Sequence, residues 1–345
     1  MDETPPTPEP SSGEDGTPRS SGPPGFPPPP EGRASPGFYP LDVDRVLRLT
    51  FSLFRFRWRT FLGITLAVMV PVMVAEAIVQ VVSVEAISRS MEALIRAARS
   101  GDLTGVSFLD LIPWQAIVLS WLATVVLSMF SFIVSAAITH AAAVAIGGGQ
   151  PGATSSLRAA FSRFGTFAGV YLVIFLVTLG IALIIGAVGV MLVLASQPGV
   201  LVFLGLVVIV GLVALLIFIS VRWAFAVAVV MLEGAGAMQA LGRSWRLATG
   251  SSWRVLGYVL LFGILVGLPV AVISFVVNAV IGSGVTASGT TLVIDAGQVF
   301  ASTVATGLVA SAFAPFATIA VTLLYLDLRF RRGEQVPQPG ATSPG

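Results

Sequence analysis

FAGVYLVIFLVTLGIALIIGAVGVMLVLASQPGVLVFLGLVVIVGLVALLIFISVR, residues 167–222, carries no charge before its last position, Arg222. Two apolar runs, about Phe167–Ala195 and Val200–Val221, flank Ser196, Gln197, Pro198 and Gly199. Each run exceeds or matches the about 20 residues that a helix needs to cross the hydrocarbon. The four residues between them have the chemistry of a tight turn. The stretch reads as a helical hairpin through a membrane, and that reading decides the fold class.

Working outward, four more runs meet the same criterion: about Phe61–Val82, Ile112–Ile146, Val255–Ile281 and Phe300–Leu326. The expectation is an all-α membrane protein with six transmembrane helices. The second, third and sixth are longer than a bilayer requires, so they tilt or extend beyond it. Arginines then set the topology. Arg45, Arg48, Arg55, Arg57, Arg59, Arg158, Arg163, Arg222, Arg243, Arg246, Arg254, Arg329, Arg331 and Arg332 fall in every second gap. The alternate gaps hold only Arg89, Arg96 and Arg99, diluted by Glu85, Glu92, Asp102 and Asp110. Loops rich in Arg stay in the cytoplasm. Both termini are therefore expected inside, in a multi-pass protein of the plasma membrane.

Composition agrees and excludes much chemistry. Of 345 residues, 55% are hydrophobic and 10% charged, too few charges to cover a water-soluble surface. A net charge of +2, spread over several loops, does not make a nucleic-acid stripe. The absence of Cys removes disulfides, thiolate metal sites and cysteine nucleophiles. One histidine, His140, leaves no multi-histidine metal site and reads as a packed, hydrogen-bonded helix residue. The N-terminus lacks the basic and short apolar regions of a cleaved signal, so the first span is expected to serve as the insertion signal.

Residues 1–40 hold thirteen of the 22 prolines and read as a disordered, proline-rich cytoplasmic tail. Thr7, Ser20 and Ser35 are candidate phosphate acceptors there, and the tail is a candidate docking segment for a protein partner. Residues 333–345 read as a second, shorter tail, which leaves 41–332 as the membrane domain. From Leu41 to Arg59 apolar residues alternate with arginines, the pattern of a helix lying in the membrane interface. Ser83 to Asp110 contains an amphipathic stretch expected on the outer surface, and Gly282 to Gly297 is either a mobile loop or a short β-hairpin.

Three segments look alike: RLTFSLFRFRWRTFLGITL from Arg48, SLRAAFSRFGTFAGVYLVI from Ser156, and ALGRSWRLATGSSWRVLGYVLL from Ala240. Each places an arginine-and-aromatic piece before an odd-numbered span, which suggests three related helix-hairpin units. Pro71, Pro269 and Pro315 are expected to kink their helices. Gly263 and Gly267 form a GxxxG that suits a close helix approach, within the chain or between copies.

Glu76 is the one carboxylate well inside an apolar span, and Gln80 and Asn278 share its depth. Intramembrane charge is costly and usually faces a bundle interior or water. These three residues are therefore a candidate polar vestibule, weighed against a single Glu76 reached by water or protonated. Arg222 and Asp327 end their helices at one level and are a candidate ion pair, with Asp327–Arg329 as the alternative. No phosphate-binding loop with Lys, Ser–His–Asp set, metalloprotease motif or close carboxylate pair occurs, so no catalytic residue, cofactor or metal is expected.

Arg243, Ser244, Trp245, Leu247, Gly250, Trp253 and Arg254 fit an RSW-x-L-x-x-G-x-x-W-R segment. Tyr325, Asp327, Leu328, Arg329 and Arg331 fit a closing Y-x-D-L-R-x-R. In these motifs the chain resembles a prokaryotic family named after the membrane domain of glycerophosphoryl diester phosphodiesterase. The resemblance implies a membrane module that some relatives fuse to a soluble phosphodiesterase domain, and no such domain is recognisable here. The motif residues look like an interfacial collar. Arg243, Arg246, Arg254 and Arg329 would sit on lipid phosphates, with Trp245 and Trp253 at the headgroup level. The leading expectation is a non-catalytic module that organises membrane lipids or partner proteins at the cytoplasmic leaflet. The competing one is a transporter or channel for a small solute or lipid.

Overall fold

A computed structural model describes residues 42–100, 113–194, 199–282, 284–288 and 291–334. The proline-rich residues 1–40, the Ser196–Pro198 turn, the outer residues 101–112 and the tail beyond Glu334 lie outside that set. Nine helices occur among the described residues: α1 Val43–Ser100, α2 Trp114–Ile146, α3 Ala153–Phe161, α4 Phe164–Leu194, α5 Val200–Trp223, α6 Ala226–Glu233, α7 Ala237–Ala248, α8 Ser252–Ile281 and α9 Ala296–Arg331. Six of them, α1, α2, α4, α5, α8 and α9, are long and apolar enough to cross a membrane. The chain is a multi-pass, helical membrane protein.

The segment before α9 pairs as an antiparallel hairpin. Strand β1, Val285–Ser288, lies against β2, Thr291–Ile294, with Val285 opposite Ile294. Of the two readings left open for Gly282–Gly297, the hairpin is the one observed.

Helix α1 joins three pieces that looked separate in sequence. Its backbone leaves helical geometry at Arg57 (φ −128°, ψ 28°), so an arginine-bearing segment turns there into the first span. The break falls at Arg57, not at Pro71, which stays inside the helix. Beyond the span α1 does not end at a separate surface helix; it continues to Ser100. From Trp58 to Ser100 it measures about 64 Å at 1.5 Å per residue, roughly twice the hydrocarbon thickness of about 30 Å. Its last turns therefore project beyond the bilayer.

Packing is uneven along the bundle. Val46, Leu53, Phe61, Ile64, Ile133, Ile138, Phe167, Phe225, Leu247, Val255, Ile319 and Leu323 are buried in one cluster. All belong to the arginine-rich end. Towards the other end Leu183, Val190, Phe203, Val210, Phe275 and Val280 are exposed. Apolar surface of that size is stable only against lipid. Helices α1 and α9 form the central pair and stay packed along their length. Phe51 and Phe54 meet Phe316 with ring centroids 5.2 and 4.1 Å apart. Further out, a Cβ on Gly307 would sit 2.7 Å from the Met73 side chain, so any larger residue there would force Met73 to move. Gly263 and Gly267 show the opposite: nothing lies within 4 Å of a Cβ at either. The GxxxG on α8 makes no seam within the chain.

The short helices α3 and α7 bury one face each. On α7 the buried residues are Ala240, Leu241, Ser244, Leu247 and Ala248, the i, i+3, i+4 spacing of a helix lying on a core. On α3 they are Ser156 and Ala160.

Candidate functional site

The motif residues converge where α5, α6, α7, α8 and α9 meet. Glu233 ends α6 and is followed by Gly234 at φ +72°, a left-handed cap that glycine adopts without strain. This turn sends the chain back into α7 and leaves the Glu233 carboxylate facing α9. Tyr325 and Arg329, four residues apart on α9, share one face. The Tyr325 hydroxyl donates to Glu233 Oε1 at 2.6 Å, and Arg329 Nη1 donates to the same oxygen at 3.1 Å. Arg329 Nη1 also lies 3.0 Å from the Tyr325 hydroxyl oxygen. From α7, Arg243 Nε reaches Glu233 Oε2 at 3.3 Å. Glu334 closes the ring through Arg243 and through Arg329 Nε at 3.1 Å. Two guanidinium groups thus meet two carboxylates. Burial works against the Arg243 charge, but the hydrogen bond to Glu334 and the charges of Glu233 and Glu334 outweigh it and hold its pKa above the usual value. Glu334, two residues past the expected boundary at 332, belongs to this ring.

A second ion-pair group lies on the next face of α9. Asp327 is fully buried and pairs with Arg254 Nη2 at 3.1 Å and Arg331 Nε at 3.0 Å. A buried carboxylate is tolerated only when paired, and here one serves two arginines. The expected Arg222–Asp327 pair is not what forms. Arg222 donates instead to Thr249 Oγ1 at 2.5 Å and stacks over Phe218 and Trp245, 4.9 and 5.1 Å from the ring centroids. Asp327–Arg329 does not form either. Residues two apart point to different sides of a helix, and Arg329 belongs to the Glu233 ring.

Ser244 explains the serine of the RSW segment. It is fully buried, accepts from the Phe225 amide at 3.1 Å and donates to the Arg222 carbonyl at 2.8 Å. It thereby satisfies the backbone where α5 breaks into α6. Gly250 takes φ +84° in the turn from α7 to α8. Arg332 covers the exposed end of α7, donating to the carbonyls of Arg246, Leu247 and Thr249 at 2.8, 3.1 and 3.0 Å. Cations at a helix C-terminus are favourable there.

The expected collar divides in two. Arg243, Arg254 and Arg329 hold internal carboxylates rather than facing outward. Trp245 and Arg246 are exposed, and Trp253 is 86% exposed. Glu233 and Glu334, which organise the ring, were not singled out from sequence. The only signal was an acid following an apolar run within otherwise arginine-rich segments.

The candidate vestibule is not assembled. Glu76 and Gln80 lie on the exposed face of α1. Asn278 is tied between α8 and α9, donating to the Ser274 carbonyl at 2.8 Å and to Thr306 Oγ1 at 3.3 Å. His140 lies 3.2 Å from Ser156 Oγ, joining α2 to α3. Among the described residues no group of three His, Cys, Asp or Glu side chains is placed to hold a metal.

A cavity of about 840 Å³ opens beside these ion pairs. Ala214, Ile217, Phe218 and Val221 of α5 form one wall; Arg222, Ser251, Ser252, Trp253 and Arg254 surround its polar end.

Residues 201–339 match the family described as the membrane domain of glycerophosphoryl diester phosphodiesterase. The match begins in α5 and takes in both motifs, both ion-pair groups and the cavity. The matched domain is the membrane part of that phosphodiesterase, not its catalytic part. No curated protein and no solved structure matches the chain.

Proposed function

We propose that this protein is a non-catalytic membrane module of the plasma membrane, with its arginine-rich end and both termini in the cytoplasm, that organises lipids or partner proteins at the inner leaflet. The observation that carries the reading is the division of the motif residues. Ion pairs lock the α6–α7–α9 corner, and the same corner presents Trp245, Arg246 and Trp253 outward. A rigid platform edged with tryptophan and arginine suits the headgroup layer. The placement of the short helices also supports reading three related units. In each, an arginine-bearing piece precedes a packed pair of spans, α1 with α2, α4 with α5, and α8 with α9. A transporter would need its intramembrane polar groups around one path, whereas Glu76 and Gln80 are exposed on α1 and Asn278 is tied to Ser274 and Thr306.

The test compares lipids and proteins that co-purify with the wild type and with an Arg246→Ala/Trp253→Ala variant. The reading expects the variant to keep its thermal stability and to lose enrichment in anionic lipid or a specific partner. Unchanged enrichment, or solute flux in proteoliposomes that Glu76→Gln abolishes, would contradict it.

A further inference from the structure

We infer that the cavity between α5 and the α7–α8 turn is a seat for one anionic glycerophospholipid. Its phosphate would sit between Arg222 and Arg254, with an acyl chain along α5. The volume, about 840 Å³, lies in the range of ligand pockets, about 300–1,000 Å³. From Ala214 to Arg222 the apolar wall runs about 12 Å along the helix axis. Ala214, Ile217 and Phe218 are exposed, so the groove opens sideways to lipid. It accommodates a headgroup and the first part of a chain, while the remainder stays in the bilayer.

Charge selects the headgroup. Arg222 makes no ion pair with a carboxylate among the described residues, and its Nε is buried without a hydrogen-bond partner. Its guanidinium is held in place by Phe218, Trp245 and Thr249, so the cation is fixed before any ligand arrives. Arg254, which pairs with Asp327 alongside Arg331, lines the same mouth and brings a second guanidinium to it. The start of α8 adds to this. Ser251 gives its side chain to no cap, and uncapped amides at the start of a long helix favour an anion. Two cations at the polar end and four apolar side chains along the wall describe an amphiphile with a phosphodiester. A free phosphate would leave the apolar wall unused.

The inference rests on the proposal that this end lies in the headgroup layer, and the experiment separates the two. Full-length protein in detergent, delipidated and then titrated with phosphatidylglycerol or phosphatidylcholine, is read by native mass spectrometry. The wild type should retain one phosphatidylglycerol per chain in preference to phosphatidylcholine. Ala214→Trp fills the groove from an exposed position and should weaken that binding about tenfold without changing the melting temperature. Arg222→Gln should abolish the preference between headgroups while leaving chain-dependent binding. Equal retention by Ala214→Trp and wild type overturns the inference. If that equality is found while Arg246→Ala/Trp253→Ala loses its lipid, the groove fails and the platform stands. If the wild type shows no preference, the lipid reading of both fails.

Discussion

Asp327 gathers Arg254 and Arg331 onto one carboxylate. It is fully buried, whereas Arg254 and Arg331 are each about one-third exposed. Removing the acid takes one shared partner from two partly exposed arginines; removing both arginines takes two cations from a buried carboxylate. We therefore predict that Arg254→Ala/Arg331→Ala destabilises by about 3–5 kcal/mol. That loss should exceed the sum of the single changes, because either arginine alone still serves the carboxylate. Thermal melting of the four proteins in detergent gives the cycle, and additive losses would contradict it. Tyr325→Phe removes one hydrogen bond to Glu233 but leaves Arg329 and Arg243 on that carboxylate. Its expected cost is about 1.5–3 kcal/mol, checked by the same melting assay. A variant as stable as wild type would place the hydroxyl outside the ring.

These residue-scale partners were largely hidden in the sequence. Arg222 and Asp327 end their helices at one level, and depth alone suggested pairing them. Depth follows from counting residues, but the direction a side chain faces around its helix depends on packing. Glu233 and Tyr325 are 92 positions apart in the chain and meet at 2.6 Å. No local pattern encodes that meeting. The same limit applies to the vestibule, where Glu76 and Asn278 share a depth but not a face.

At the scale of elements, spans were legible because hydropathy over about 20 residues is a bulk property. Each of the six expected runs coincides with one long apolar helix among the described residues. The joints between them were less legible. The break at Arg57 carries neither proline nor glycine, so nothing in the residue itself marks it. The short helix α6 lies beyond the expected fourth run, which ends at Val221, and VAVVML is too short to read as a span. Close contacts are also set at this scale. Gly307 allows α9 to approach Met73 on α1. Gly307→Val should overpack that contact and destabilise by about 1–3 kcal/mol. Met73→Ala in the same protein should restore part of the loss, which thermal melting of single and double variants would show. No rescue would place the strain elsewhere.

Across the whole molecule, burial and charge are both polarised. The packed core and the described ion pairs other than Arg89–Glu85 occupy the arginine-rich end, and the opposite half is largely apolar surface. Such a molecule is stable with its open half in hydrocarbon and its clasped end at a charged interface. The resemblance read from RSW-x-L-x-x-G-x-x-W-R and Y-x-D-L-R-x-R is matched by the family over residues 201–339. Those motifs are legible because they lie at the ends of the spans and between them, where polar and aromatic residues interrupt the apolar composition. Their physical role was legible only in part. The motifs single out residues, and the fold shows that Arg243, Arg254, Arg329 and Arg331 among them hold carboxylates.

The chain contains no cysteine, so single-cysteine labelling in intact cells reads its orientation without background. Ser90→Cys and Ser196→Cys should react with a membrane-impermeant maleimide in intact cells. Ser155→Cys should react only after permeabilisation. The reverse pattern, or equal labelling of all three in intact cells, would contradict an arginine-rich end anchored at the cytoplasmic leaflet.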